Sequence, residues 1–399
     1  MKRLAVVLIV LGLAAGCNMQ PVKEAKQDAY KRWYETRAQL LYGLAEDQYK
    51  AGELLKARST ANEVLGLDSQ HRQGRLLLAK INIEEGEYPA AVDLLSRLES
   101  ENPKSAEVLY LLGVAQENRG LFQDALVSYR RAQELDPSDL APIIAATEVL
   151  AAQGDLKQAQ AYVESYISLA GNNARMYELA GRLAMMLNDP GKAAGYYQQA
   201  CDLNSANRQS AEMLGEALFM DRQYERAAQA LAPLTAAPDY SAPAWVHTML
   251  GDCYMAMDRA RQAREAYAQA TELSPSDPGA WCNLAKAALA AEDMPRAIVA
   301  ARQALRLDGN CQDASVLLGY AMLRDGDIDR ARAVLADAAG RHPASAELRC
   351  VLGRVHAAAG DGESARRCYA EALRIEPGNV LAAQLLAAAD SGGQEPSIN

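Results

Sequence analysis

Small residues recur along this chain at a fixed interval. Alanine stands at 57, 91, 125, 159, 193 and 227, then at 263, 297, 331 and 365, a period of 34 broken once by two extra residues. A second column keeps the same period and the same shift: Ala45, Ala79, Gly113, Thr147, Gly181, Gly215, Gly251, Ala285, Gly319 and Gly353. Self-similarity at such a period marks a repeat array, in which each unit is one supersecondary piece that buries its apolar face against the next. Small residues belong where two helices approach closely. A third column, Gly52, Gly86, Gly120, Gly154, Gly326 and Gly360, lies between the first two, with Asn188, Arg222, Asp258 and Glu292 in the other four repeats. Glycine there predicts a helix that ends in a left-handed residue so that the next can begin. Pro103, Pro137, Pro275, Pro343 and Pro377 close repeats, because proline cannot continue a helix. The pattern predicts an all-α chain built from antiparallel helix pairs.

The clearest copy is SAEVLYLLGVAQENRGLFQDALVSYRRAQELDPSD, residues 105–139. Its Leu112-Gly113, Gly120, Phe122, Ala125, Tyr129, Ala132 and Pro137 resemble the tetratricopeptide repeat. The resemblance implies a solenoid, a right-handed superhelix of about ten antiparallel helix pairs over 38–379. A capping helix over 380–390 and a disordered tail over 391–399 complete the far end. At the near end, Tyr30, Trp33 and Tyr34 share helical spacing, so residues 22–37 read as a leading helix packed on the first repeat. Lys23, Lys26, Lys31, Arg32 and Arg37 on that helix read as a solvated face in preference to a contact with anionic head groups. The two extra residues, near Pro238 and Pro243, read either as a longer loop, which is preferred, or as a joint near 235–245.

The first residues change the picture. Lys2 and Arg3 precede an apolar run from Leu4 to Ala15, too short for the roughly 20 residues of a membrane span and shaped like an export signal. Ala14, Ala15 and Gly16 lead into Cys17, and LAAGC resembles the lipobox of bacterial lipoproteins. That resemblance implies removal of residues 1–16 and diacylglycerol on Cys17, with the region 17–37 as anchored linker. Two or three acyl chains are needed for durable attachment. Asn18, where aspartate would mark inner-membrane retention, implies the periplasmic leaflet of the outer membrane. An ordinary signal peptide with an incidental cysteine is the alternative.

Composition then excludes classes. The chain carries a formal charge of −10, and losing Lys2 and Arg3 with the leader takes it to −12. That balance argues against nucleic acid as a partner, since phosphate binding draws on clustered Lys and Arg. His71, His247, His342 and His356 are scattered, with no cysteine at metal-ligand spacing. No phosphate loop, dinucleotide fingerprint or nucleophile elbow occurs. No catalytic residue, metal, cofactor or small-molecule substrate is therefore expected. Cys201, Cys253, Cys282, Cys311, Cys350 and Cys368 show no CxxC spacing, and the unpaired reading is preferred because a helical array needs no staples.

What remains is binding. In the family that the repeats resemble, the first helix of each pair lines a concave face that takes an extended peptide or a partner helix. Carried over by register, the partner-binding candidates are Tyr42, Tyr49, Tyr110, Arg182, Phe219, Trp245, Lys286, Arg324 and Arg354. Glu46, Lys80, Glu148, Glu216, Asp252, Cys282 and Tyr320 share that face. Aromatic residues lead the set because binding energy concentrates on them; the competing reading is that several merely pack between neighbouring helices. The expectation is a lipid-anchored envelope scaffold serving pilus or secretion-machine assembly. The alternative is an accessory subunit of a polysaccharide-export or peptidoglycan enzyme complex.

Overall fold

The computed structural model describes residues 19–167, 173–237 and 239–391. The leader, Cys17, Gly171, Pro238 and the tail beyond Ser391 lie outside the described residues. Among the described residues every regular element is a helix. By its internal contacts the chain divides into two compact units, Met1–Asn172 and Asn173–Asn399.

The first unit pairs α1 (Met19–Lys50) with α2 (Leu54–Leu67), α3 (Arg72–Glu84) with α4 (Tyr88–Glu101), α5 (Ala106–Asn118) with α6 (Phe122–Leu135), and α7 (Ala141–Ala152) with α8 (Leu156–Ile167). The second pairs α9 (Ala174–Met186) with α10 (Pro190–Leu203), α11 (Arg208–Met220) with α12 (Tyr224–Ala236), α13 (Ala244–Ala256) with α14 (Ala260–Leu273), α15 (Pro278–Ala290) with α16 (Met294–Leu307), α17 (Gln312–Arg324) with α18 (Ile328–Arg341), and α19 (Ala346–Ala358) with α20 (Gly362–Ile375). A last helix, α21 (Val380–Ser391), closes that unit with Ala382 and Leu385 buried.

The columns explain the pairs. Every alanine of the first column, from Ala57 to Ala365, has no exposed surface. It sits on the second helix where the first helix presses closest. The second column is buried too, and six of its members are glycines on first helices. A Cβ on Gly113 would come within 2.5 Å of the Tyr129 ring, and one on Gly251 within 2.6 Å of Tyr267. Gly215 and Gly319 likewise face Leu231 and Leu335. Where the first helix carries Ala45 or Ala285, the residue at the matching place on the second helix is Ala61 or Ala301. These pairs balance bulk across one contact, whereas Ala79 stands opposite the buried Leu95 and Thr147 opposite the buried Val163.

Between the two helices of each pair stands a residue with φ above zero. The six glycines of the third column adopt it, and so do Asn188, Arg222, Asp258 and Glu292, at φ of 57–59°. The next amide reaches back five residues: Glu87 N–H donates to Asn82 O at 2.7 Å and Asp293 N–H to Ala288 O at 2.8 Å. This is the hydrogen bond that ends a helix at a left-handed residue and leaves few orphan carbonyls. α10, α16, α18 and α20 then start on aspartate caps; Asp189 and Asp361 accept from the backbone N–H three residues on, at 3.1 and 3.0 Å.

One expectation changes. Residues 22–37 do not form a separate helix packed on the first pair, because α1 runs unbroken from Met19 to Lys50 and leaves Tyr30, Trp33 and Tyr34 exposed. From Val22 to Tyr42 no glycine or proline interrupts α1, so the first repeat's helix simply continues backwards. At the insertion the preferred reading of a longer loop agrees with the described residues, in preference to a joint near 235–245. One apolar core includes Leu231 and Leu234 before the insertion and Ala242, Val246 and Leu250 after it. The described residues there, 239–243, form a loop, and the division between units falls at Asn172/Asn173.

Candidate partner-binding surfaces

Successive first helices touch: α1 with α3, α3 with α5 and α5 with α7 in the first unit, and α11 with α13, α15 with α17, α17 with α19 and α19 with α21 in the second. Among the described residues successive second helices make no comparable contact. Within each unit the first helices are therefore the inner, closer-spaced layer, and residues one past the small column point along it.

In the first unit the candidates mostly join neighbouring helices. The Tyr42 ring lies 5.5 Å from that of His71, and the Tyr49 hydroxyl donates to Glu84. Burial, then the Glu84 carboxylate, pushes the Tyr49 hydroxyl up to about 12, so it stays a donor. Tyr110 stands 5.9 Å from the buried Tyr129 ring. Lys80 Nζ meets Glu107 at 2.6 Å, tying α3 to α5. These side chains are half-buried ties between helices, and Glu46 and Glu148 complete the inner layer.

In the second unit Trp245, Arg324 and Arg354 line two grooves, and Arg182, Phe219 and Lys286 line neither. Trp245, which is 39% exposed, and Asp252 line one of about 540 Å³ with Thr248, Met249, Asp277 and Ala280. The Tyr267 hydroxyl donates to Asp252 at 2.5 Å. Burial raises the Asp252 carboxyl above its ordinary range, against the pull of Tyr267 and of Lys286. Cys282 Sγ lies 3.9 Å from Cys311 Sγ, with no bond between them. Arg182 is exposed, Glu216 is half-buried, and Phe219 packs edge-on to Tyr224 at 5.5 Å.

Arg324, Arg354 and Tyr320 converge on the second groove, about 550 Å³, whose apolar floor comes from Leu323, Ala357, Ala388 and Ala389. The Arg354 guanidinium lies 5.8 Å over the Tyr320 ring. Arg324 approaches the Tyr320 hydroxyl at 3.5 Å and Glu292 at 3.7 Å. Two guanidinium groups above an apolar floor can take an acidic, partly apolar segment. Register alone could have placed the two arginines together. It missed the floor, which needs α21 in position. It also missed Met186 and Met220, 54% and 48% exposed at the ends of α9 and α11. Among the described residues no group of three or more His, Cys, Asp or Glu is placed to hold a metal ion, and no helix is long and apolar enough to cross a membrane.

Comparison with known families agrees with this geometry. A profile for the tetratricopeptide repeat matches residues 42–106 and 76–139, and the profile for the cilia and flagella-associated protein 70 C-terminal domain, itself a tetratricopeptide-repeat profile, matches residues 132–390. The chain belongs to the tetratricopeptide-repeat family. This tetratricopeptide array is 24% identical over 268 residues to human anaphase-promoting complex subunit 7, covering 66% of the chain and 46% of that protein. It is 29% identical over 188 residues to human tetratricopeptide repeat protein 29, covering 42% and 39% respectively. The chain thus spans less than half the length of either curated relative. Among solved structures, the Cut9–Hcn1 assembly of the anaphase-promoting complex matches 88% of this chain and 76% of its own at 18% identity and a TM-score of 0.39. A tetratricopeptide repeat protein of Parabacteroides merdae matches 63% and 99% at 16% identity and a TM-score of 0.40. Neither of these structural likenesses bears on function.

Proposed function

We propose that this tetratricopeptide protein is a non-catalytic scaffold that holds other proteins along its first-helix layer, with the Tyr320–Arg324–Arg354 groove as its principal contact. The observation that supports this most is the groove itself: two cations and an aromatic ring over an alanine and leucine floor, suited to an extended acidic segment or a helix. The curated relative of 24% identity is by name a subunit of a multiprotein complex, which agrees with an assembly role. The lipobox-like LAAGC further supports attachment through acyl chains on Cys17 to the periplasmic side of a bacterial outer membrane. Together, export, anchoring and a peptide-binding array favour a role in pilus or secretion-machine assembly.

The test is in-cell crosslinking of the detergent-solubilised protein, in wild type and in Arg324→Glu/Arg354→Glu. Pilus or secretion-channel subunits recovered with the wild type and lost from the variant support the reading. Partners recovered equally from both would remove the groove from it, and glycan synthases or hydrolases in their place would replace the pathway by polysaccharide or peptidoglycan assembly. Attachment is tested separately: Cys17→Ser should lose its fatty-acid label, and a label that survives refutes lipidation there.

A further inference from the structure

The exposed start of α1 remains outside the scaffold function. From residue 25 to residue 37 every side chain is exposed, and burial begins only at Ala38. This stretch carries Tyr30, Trp33 and Tyr34 at 56%, 52% and 43% exposure, above the other exposed aromatics Phe122 and Trp245 at 36% and 39%. Soluble surfaces rarely gather such rings without a use.

Their arrangement is one-sided. At 3.6 residues per turn, Lys26, Tyr30, Trp33, Tyr34 and Arg37 fall within a sector of about 100°, and Asp28 and Glu35 fall roughly 140–160° away from Tyr30. Trp33 and Tyr34 meet edge-on at 5.0 Å, and the Arg37 guanidinium covers the Trp33 ring at 5.4 Å. Lys31, off this face, lies 4.0 Å from Glu35 and offsets the acidic side. Leu40 and Leu44, 73% and 49% exposed, extend the same stripe toward the first pair.

We infer that this aromatic and basic face of α1 lies flat on an anionic lipid bilayer. Tyrosine and tryptophan favour the boundary between head groups and acyl chains, where ring and polar edge are both satisfied. Lysine and arginine flanking them meet lipid phosphates, each contributing about 1 kcal/mol near an anionic surface. The acids lie on the far side, facing water. A second copy of the chain is a poorer occupant, because Lys26 and Arg37 would confront their own counterparts. The chain's overall charge of −10 does not oppose docking. Residues 25–37 make about 19 Å of helix, and charges beyond a Debye length of about 8 Å are screened. The inference does not rest on the acyl anchor, since it concerns a face of the described helix.

The experiment uses the full chain carrying Cys17→Ser, mixed with vesicles of phosphatidylcholine alone or with phosphatidylglycerol. Trp33 emission is taken as the difference from the same chain carrying Trp33→Phe. With phosphatidylglycerol present, that emission should shift to the blue and be quenched by bromine on the acyl chains. Lys26→Glu/Arg37→Glu should weaken the response about tenfold, as should raising the salt until the Debye length falls to about 4 Å. Co-sedimentation with Trp33 unquenched would overturn the inference, because the apolar leader alone would then hold the chain. Equal response to neutral vesicles would overturn the basic half of it. A blue shift without vesicles that grows with protein concentration would give the face to a second copy. Acylation is read separately, by the fatty-acid label on the unsubstituted chain, so failure of the anchor and failure of this face are separable.

Discussion

The balance of bulk within such helix pairs can be tested at Gly215 and Leu231. Leu231 has no exposed surface, and a Cβ on Gly215 would lie 2.5 Å from its Cγ. Gly215→Ala gains about 1 kcal/mol of helix propensity. Overpacking a filled core costs typically 1–3 kcal/mol, so the single variant should be neutral to about 2 kcal/mol less stable. Leu231→Ala removes a fully buried side chain and should cost about 2–5 kcal/mol. The double variant recreates the Ala285/Ala301 pairing found elsewhere in the same array, where both residues have no exposed surface. There the overpacking term vanishes while the propensity gain remains. The double-mutant cycle should therefore show a coupling of about 1–3 kcal/mol favouring the double variant, with propensity cancelling. Urea unfolding followed by far-ultraviolet circular dichroism measures it, with an unchanged denaturant slope as the check that one transition is being compared. Additivity within about 0.5 kcal/mol would refute the argument that glycine is there to admit the leucine.

Glu292→Gly should stabilise the chain by about 0.5–1 kcal/mol in the same assay, since a side chain at φ 59° carries a strain that glycine lacks; destabilisation would mean that the Glu292–Arg324 contact outweighs the strain. For Asp252, burial raises the folded-state carboxyl above its unfolded value, so the folded chain binds the extra proton and its stability rises as pH falls from that raised value toward the unfolded one. Asp252→Asn should remove that rise, seen as a flatter difference in unfolding midpoint between neutral and mildly acidic pH, and an unaltered profile would contradict it. Oxidised glutathione should convert Cys282 and Cys311 to one disulfide, the two thiols giving up two protons and two electrons as the reagent becomes two reduced glutathiones. Peptide mapping that finds a glutathione on each cysteine instead would show that the helices hold them apart.

The fold was legible because close helix contacts demand small residues at set intervals. The ten left-handed positions were legible for a related reason: even where glycine is missing, the 34-residue register puts Asn188, Arg222, Asp258 and Glu292 at the same turn. The extent of α1 was less legible. The period begins with the first pair, and nothing in residues 22–37 distinguishes a separate helix from a continuation. The inserted residues near 240 read as a longer loop in preference to a joint, and Ala242 and Val246 carry the core across as the loop requires. Candidate binding residues were legible only as a layer. Register places Tyr49 and Arg354 on first helices alike, but whether a side chain ties two helices, as Tyr49 does to Glu84, or lines a groove, as Arg354 does, depends on the neighbouring helix and on α21.

The matched contacts also limit how such an array can change over evolutionary time. Gly113 and Tyr129, Gly251 and Tyr267, and Ala285 and Ala301 each lie within one pair, so the dependence between them never crosses a repeat boundary. A whole pair can be duplicated, lost or moved and keep its internal fit. Recombination that joins the first helix of one repeat to the second helix of another would set a tyrosine against an alanine, or leave a hole where an alanine meets a glycine. Breakpoints that preserve folding should therefore fall at the repeat-closing prolines, and inherited differences in bulk should travel as linked pairs.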